Sequence, residues 1–422
     1  MRFLIINPFK NNFEPNGGTE IRIKGYTGSI ISAGYNFYFM SPVKPEYIPE
    51  HNYVNFSLPR YFNKVILIHN YLYRIPILSI LSNLLNYRIR KNRNLRILVN
   101  LSVDSINVVH KEQNVLLYLL LRNNSNFIYD IHGILNLQKE YSEQLSFIKK
   151  YWFKLNLQNE KRLYKILKYA NVLNQETLSF LRSEFSYSGS GFIAPDGLLV
   201  NPEMYSPDSV SVKMIKEKFQ INNPQKIILF IGAFKKFGGV QFLTDAFVKL
   251  AKQDPDLILF LIGTGQMEQS VFNTIHKNNL DLQLIHLKEI NYSQIINYQE
   301  IADVIVIPDI AGAYNELTPH IKLYDALVSG KNLVVPDFKV NRDIVSSLAQ
   351  KEFTYFFKPS SQESLQETLL FALAQTQRKR VLPELPESIT YNNKGLELLK
   401  QYKNAFAGNR KEAIYDFHKS IF

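Results

Sequence analysis

Short apolar runs alternate with stretches of helical spacing along the chain, and the alternation happens twice. In the first series the apolar runs predict strands at 2–6, 37–40, 65–69, 96–100, 106–109 and 127–131. A long helical pattern over roughly 143–184 follows, then "GFIAPDGLLV". A second series predicts strands at 226–231, 257–262, 282–286, 304–307, 332–335 and 354–357, with helices such as 239–253 and 363–376 between them. Strands that are nearly all apolar are buried on both faces, and helices between them imply parallel sheets made of βαβ units. Two such series predict an α/β chain of two doubly wound domains, with a boundary near 195–202.

Ligands of doubly wound sheets sit outside the carboxyl ends of the strands, so the loops after the strands hold the candidate chemistry. After the first strand comes "NPFKNNFEPNGGTE", where Gly17 and Gly18 allow close backbone approach; a bare Gly-Gly is also an ordinary turn. "FIYDIHG" puts His132 at the end of a buried strand, with Asp130 two residues earlier to orient it; a lone His is otherwise often structural. In "IGAFKKFGG", Lys235 and Lys236 could reach a diphosphate or simply be solvated. "IGTG" supplies Gly263 and Gly265, a Gly-x-Gly without the rest of a dinucleotide fingerprint.

The stretch "ELTPHIKLYDALVSGKNLVVPD" carries the most. Thr318 suits a helix cap and Pro319 a first turn, so the N–H groups of His320 and Ile321 would point at an anion. Lys322 and Asp325 share a helical face, and Asp325 could accept from two neighbouring ribose hydroxyls. The plain alternative for that pair is an i,i+3 surface ion pair.

Composition narrows the classes. The 422 residues exceed one ordinary core. There is no Cys, which excludes disulfides, thiolate catalysis and Cys-based zinc sites and fits a reducing compartment. The start "MRFLIINPF" reads as a strand with no signal-peptide pattern, and no apolar run is long enough to span a bilayer. No ligand spacing of the His-x3-His or Asp-x-Asp kind appears, so neither metal nor cofactor is expected. The formal charge of +12 is concentrated. From His51 to Val103 there is no acid, and Arg88, Arg90, Lys91, Arg93 and Arg96 follow an apolar run. That cluster is either a solvated basic face or a surface for anionic lipid. No nucleic-acid signature accompanies it.

Taken in order, "NGGTE", "YDIHG", "IAPDGLL", "FIGAFKKFGGVQFLTDAF", "LIGTG", "ADVIVIPD" and "KLYDALVSGKNLVVP" resemble the family 4 glycosyltransferases, over roughly residues 1–400. The resemblance implies the GT-B fold, with two Rossmann-like domains facing across a cleft. An acceptor-binding domain would span 1–198, with the 406–422 helix packed back on it, and a nucleotide-sugar domain would span 199–405. It implies a retaining hexosyl transfer from a nucleotide sugar to a glycan, lipid-linked or polysaccharide acceptor. The enzyme would be cytoplasmic, and peripheral on the membrane if the basic cluster docks there.

Carried over residue by residue, the ribose-binding acid falls on Asp325, where the family usually has Glu. The other acid of its Glu-x7-Glu pattern falls on Leu317, with Glu316 one residue off as the candidate beside the transferred sugar. The cleft His falls on His132. The Arg and Lys that neutralise the diphosphate fall on Ala233 and Gly238, so Lys235, Lys236 or Lys322 must replace them. Without a replacement, the chain would be a non-catalytic sugar-binding or partner subunit. A sugar-nucleotide epimerase on the same fold is a further alternative.

Overall fold

The computed structural model describes residues 2–6, 18–41, 44–55, 105–109, 127–131, 133–134, 137, 147–199, 205–347, 351–375 and 389–406. The chain divides into two units. Unit 1 comprises Met1–Glu14, Ile23–Pro195 and Lys394–Phe422; unit 2 comprises Pro15–Arg22 and Asp196–Asn393.

The sheet of unit 1 contains β1 (Arg2–Ile6), β2 (Asn36–Ser41), β3 (Tyr53–Asn55), β4 (Ser105–Val109), β5 (Phe127–Ile131), β6 (Tyr169–Val172) and β7 (Ser190–Ile193). All are parallel, in the order β3-β2-β1-β4-β5-β6-β7. The helices are α1 (Gly18–Ser32), α2 (Phe147–Ile166) and α3 (Gln175–Phe185). The expected single helix over 143–184 is therefore two helices with a strand between them. β6 is four residues long and almost wholly enclosed, so it shows no two-residue alternation against the helical patterns on either side. Asn174 then restarts the helix, its Oδ1 accepting the Thr177 N–H at 2.7 Å. β3 and β7 were not foreseen either. The strands expected at 65–69 and 96–100 lie outside the described residues, as does the basic cluster Arg88, Arg90, Lys91, Arg93 and Arg96.

The sheet of unit 2 contains β8 (Lys226–Ile231), β9 (Leu257–Ile262), β10 (Leu284–Leu287), β11 (Val304–Val306), β12 (Asn332–Pro336) and β13 (Thr354–Phe357), all parallel, in the order β10-β9-β8-β11-β12-β13. Strand β10 starts later than the expected 282–286, because Leu282 is fully exposed in a 3-10 turn. Along the chain run α4 (Ser209–Lys218), α5 (Val240–Ala251), α6 (Glu268–Lys277), α7 (Ile295–Ile301), α8 (Ala313–Leu317), α9 (Ile321–Val328), α10 (Lys339–Ser347), α11 (Gln362–Ala374) and α12 (Tyr391–Phe406).

The period of two along β8 divides the core of unit 2. Ile227 and Leu229 face a cluster with Leu323, Tyr324 and Leu327 of α9. Ile228 and Phe230 face the opposite cluster, with Val240, Leu243 and Phe247 of α5. So α9 and α5 cover opposite faces, which brings the start of each to the carboxyl end of β8. In unit 1, Leu398, Leu399, Tyr402 and Phe406 of α12 pack with Phe3, Phe37, Phe39 and Phe192. The helix that joins this core thus begins well before the expected 406–422 tail, of which 407–422 lie outside the described residues. Among the described residues no helix is long and apolar enough to cross a membrane.

Candidate functional site

The loops after β8, β9 and β10 are stitched together by backbone hydrogen bonds. Gly232 N–H donates to Ile262 at 2.9 Å, Gly263 N–H to Leu287 at 2.8 Å and Phe234 N–H to Thr264 at 2.8 Å. Glycine is required where they cross. Gly263 has φ +141°, and a Cβ there would lie 1.9 Å from the Gly232 oxygen. Gly239 opens α5 with φ +69°, and its Cβ would lie 1.8 Å from the Pro308 oxygen. This second contact seats the start of α5 against the loop that follows β11. Gly265 stands against the Phe234 backbone in the same way. The Gly-x-Gly of this chain therefore has a packing role between loops.

That seating places Asp309 at the centre of a charged cluster. Its side chain is almost fully buried, and Lys322 Nζ donates to its Oδ1 at 2.5 Å. His320 Nε2 lies 3.5 Å from its other oxygen, Oδ2. A buried carboxylate needs such compensation, since losing it would leave an uncovered charge. Lys322 also lies 5.6 Å from the Phe230 ring centre. Lys235, exposed along its side chain, sits near enough to feel Lys322. Withdrawal from water, and then the Lys322 charge, push its pKa below the ordinary lysine value. Its Nζ lies 5.4 Å from the Phe237 ring centre. Among the described residues no carboxylate is paired with Lys235. The cluster therefore carries more positive than negative charge.

Asp325 does not pair with Lys322, although the two are three residues apart on α9. It is 5 % exposed, and Tyr292 Oη donates to its Oδ1 at 2.6 Å. Tyr205 Oη lies 3.1 Å from Tyr292 Oη and also reaches the carboxyl. Burial pushes the Asp325 pKa up to about 7, against the lowering effect of the two tyrosine hydrogen bonds. The plain alternative, an i,i+3 surface ion pair, is thus absent, and Asp325 is a buried acid between two phenols.

The remaining candidates scatter. His320, with extended backbone, precedes α9 as its cap, so Thr318 and Pro319 lie before the helix instead of forming its cap and first turn. Leu323 N–H returns to the His320 carbonyl at 2.9 Å, while the N–H groups of His320 and Ile321 have no acceptor among the described residues. Glu316 is exposed and its Oε1 accepts the Gly312 N–H at 3.2 Å, so it caps α8 locally. Lys236 is exposed beside Lys235. Gly18 opens α1, whereas Gly17 and His132 lie outside the described residues.

Several participants escaped the sequence reading: Asp309, Asn315, Tyr205 and Tyr292. Asp309 had a legible signal, an acid directly after the buried "VIVIP". The tyrosines had none, lying more than thirty residues from Asp325 in sequence. Beside this cluster, within unit 2, Arg22 donates to Asp196 at 2.9 Å, buried, and Tyr391 Oη donates to the same oxygen at 2.9 Å. Among the described residues no group of three His, Cys, Asp or Glu could hold a metal ion.

Residues 211–395 match the family model described as glycosyl transferases group 1. No curated protein matches the sequence closely enough to count as a relative. Among solved structures, the chain is similar to a glycosyltransferase from Rickettsia africae at 15 % identity and TM-score 0.63, over 97 % of this chain and 99 % of that one. It is similar to sucrose-phosphate synthase from Thermosynechococcus elongatus at 15 % identity and TM-score 0.60, over 96 % of both. It is also similar to Anabaena HepE in complex with UDP-glucose, at 13 % identity and TM-score 0.60, over 97 % and 99 %. At these identities the similarity shows the fold, which is GT-B. The family match falls almost wholly in unit 2 and spans less than half of the chain.

Proposed function

We propose that the chain moves a sugar, with retention, from a nucleoside diphosphate sugar held in unit 2 to a glycan, lipid-linked or polysaccharide acceptor held in unit 1. The observation that carries the donor half is the surplus of positive charge at Lys235 and Lys322, set where the loops after β8 and β11 meet. A diphosphate there would cover a charge that Asp309 alone does not. HepE, a similar structure, was solved with UDP-glucose, which supports a donor of this class.

When the bond from the sugar to the diphosphate breaks, its electron pair passes to the phosphate oxygen. Fixed cations aimed at that oxygen are stronger in a water-poor site than in solvent. Lys235 and Lys322 fill the role that Ala233 and Gly238 cannot. Lys236 is less suited, because nothing holds it near Lys322. Asp325 is the candidate for the ribose, and His132 is the candidate catalytic residue. With charge supplied by lysines, transfer needs no metal in this scheme.

The test is a panel of UDP-, GDP- and ADP-sugars, scored by thermal stabilisation and by hydrolysis, with and without a chelator. One nucleotide class should bind, the chelator should change nothing, and Lys235→Ala should lose roughly 2–4 kcal/mol of transition-state stabilisation while Lys236→Ala stays within a few-fold. Lys235 is the cleaner target, because Lys322→Ala would also strip Asp309 of its partner. Absence of binding to every donor would overturn the donor site and leave a partner subunit.

A further inference from the structure

We propose that the His320 imidazole takes up a proton from solvent when a diphosphate is bound beside Lys235 and Lys322, and so becomes the third cation of the site. The inference rests on the donor site proposed above and adds a residue whose side chain no motif singles out.

The geometry begins with Asn315. Its Nδ2 donates to the Phe237 and Ile310 carbonyls, both at 2.8 Å, which fixes the amide orientation. Its Oδ1 must then face His320 Nε2, 3.1 Å away, as an acceptor. Hence Nε2 carries a hydrogen in the neutral ring, and Nδ1 is the atom open to a proton. Nδ1 has no hydrogen-bond partner among the described residues. Protonation at Nδ1 leaves the Nε2–H bond to Asn315 intact, and Asp309 Oδ2 at 3.5 Å becomes an ion-pair partner of the charged ring. The ring is thus held in a setting that accommodates both states without rearrangement.

The charges facing His320 decide which state holds. In the free protein, burial disfavours the charged ring, Asp309 favours it, Lys322 and Lys235 oppose it, and Asp196 favours it; the balance lies below the ordinary histidine value. The free side chain is therefore neutral at pH 7. A diphosphate would cancel both opposing lysine charges and add its own attraction. An opposite charge within a few ångströms raises such a pKa by about 1–3, so a bound diphosphate shifts the ring towards its charged form.

Linkage fixes the sign. Binding that raises a pKa takes up protons between the free and the bound value, and affinity weakens with rising pH through that window, by at most about tenfold per pH unit. Asp325 would act in the opposite direction, releasing a proton if a bound ribose favours its ionised form. The comparison therefore has to be made between variants.

The experiment is calorimetry of UDP-glucose, GDP-glucose and ADP-glucose binding at pH 7 in buffers of different ionisation enthalpy, on wild type and His320→Gln. These nucleotide sugars have no phosphate that titrates near neutrality, so the proton count belongs to the protein. Wild type should take up more protons than His320→Gln, by up to one proton per site. NMR of the His320 ring in wild type, assigned by its loss in the variant, should show its pKa rising on binding. This keeps the test open if the variant folds poorly. Equal proton counts with an unmoved ring titration, while a nucleotide sugar binds, overturn the inference and leave the donor site standing. No binding by any of the three overturns the donor site, and the inference with it.

Discussion

Asp325→Asn tests the energetics of the buried acid directly. In the folded chain the Asp325 proton stays on until about pH 7, whereas the unperturbed group loses it near 3.8. Between those values the folded state binds a proton that the unfolded state does not. The stability this confers is full below about pH 4 and is lost as pH rises through 7. A gap of about three pH units between the two titrations corresponds to roughly 4 kcal/mol, of which roughly 2.5 kcal/mol falls between about pH 5 and about pH 8. Asn keeps an oxygen for Tyr292 to bond and cannot titrate, so its curve lacks this contribution. Because the chain has two units, whole-chain unfolding is not a two-state measurement. Amide hydrogen exchange of peptides covering β8 and β9 follows unit 2 alone. Wild type should lose opening free energy relative to Asp325→Asn as pH rises, by a few kcal/mol. Parallel curves would mean that Asp325 is ionised throughout and that the two phenols outweigh burial.

Gly239→Ala should destabilise unit 2 by roughly 3 kcal/mol or more, because the left-handed backbone and the approach to the Pro308 carbonyl both penalise a methyl group; a thermal midpoint unchanged within a degree or so would refute this. If the basic cluster serves a membrane-bound acceptor, the protein should float with anionic vesicles at low salt and not with neutral ones. Replacing Arg88, Arg90, Lys91 and Arg93 by Ser should abolish that flotation, and recovery independent of lipid charge would show that the cluster is a solvated face.

The parts legible in sequence were those whose side-chain pattern alone defines them. β9 is a fully apolar six-residue run and β8 is apolar after its opening Lys226, and their expected limits match the observed ones. β6 was illegible because four enclosed residues carry no period and helices abut both ends. At the site, sequence spacing put Lys322 and Asp325 on one helix, which is so, and the alternative of an ion pair between them does not form. Spacing along α9 fixes which side chains share a face, but partner choice is decided by neighbours from other loops. Asp309 lies thirteen residues before Lys322, and Tyr292 thirty-three before Asp325. Only the sheet order, which sets β8 beside β11, brings them together.

The departures from the family pattern at Ala233 and Gly238 look like a loss of charge, yet the same loop carries a lysine elsewhere. Gly238 is buried, and Lys235, three residues earlier, is exposed in the same turn. Lys322 approaches from α9, where a Cβ at Gly232 would come within 3.9 Å of its side chain. Asp309 then has a clear physical role, because its carboxylate covers the Lys322 charge before any ligand arrives and faces the His320 ring that is charged afterwards. Its cost is one negative charge within a site meant for an anion. A proton on His320 would cancel that charge when the diphosphate is bound, so the position of Asp309 and the titration of His320 belong to the same electrostatic arrangement.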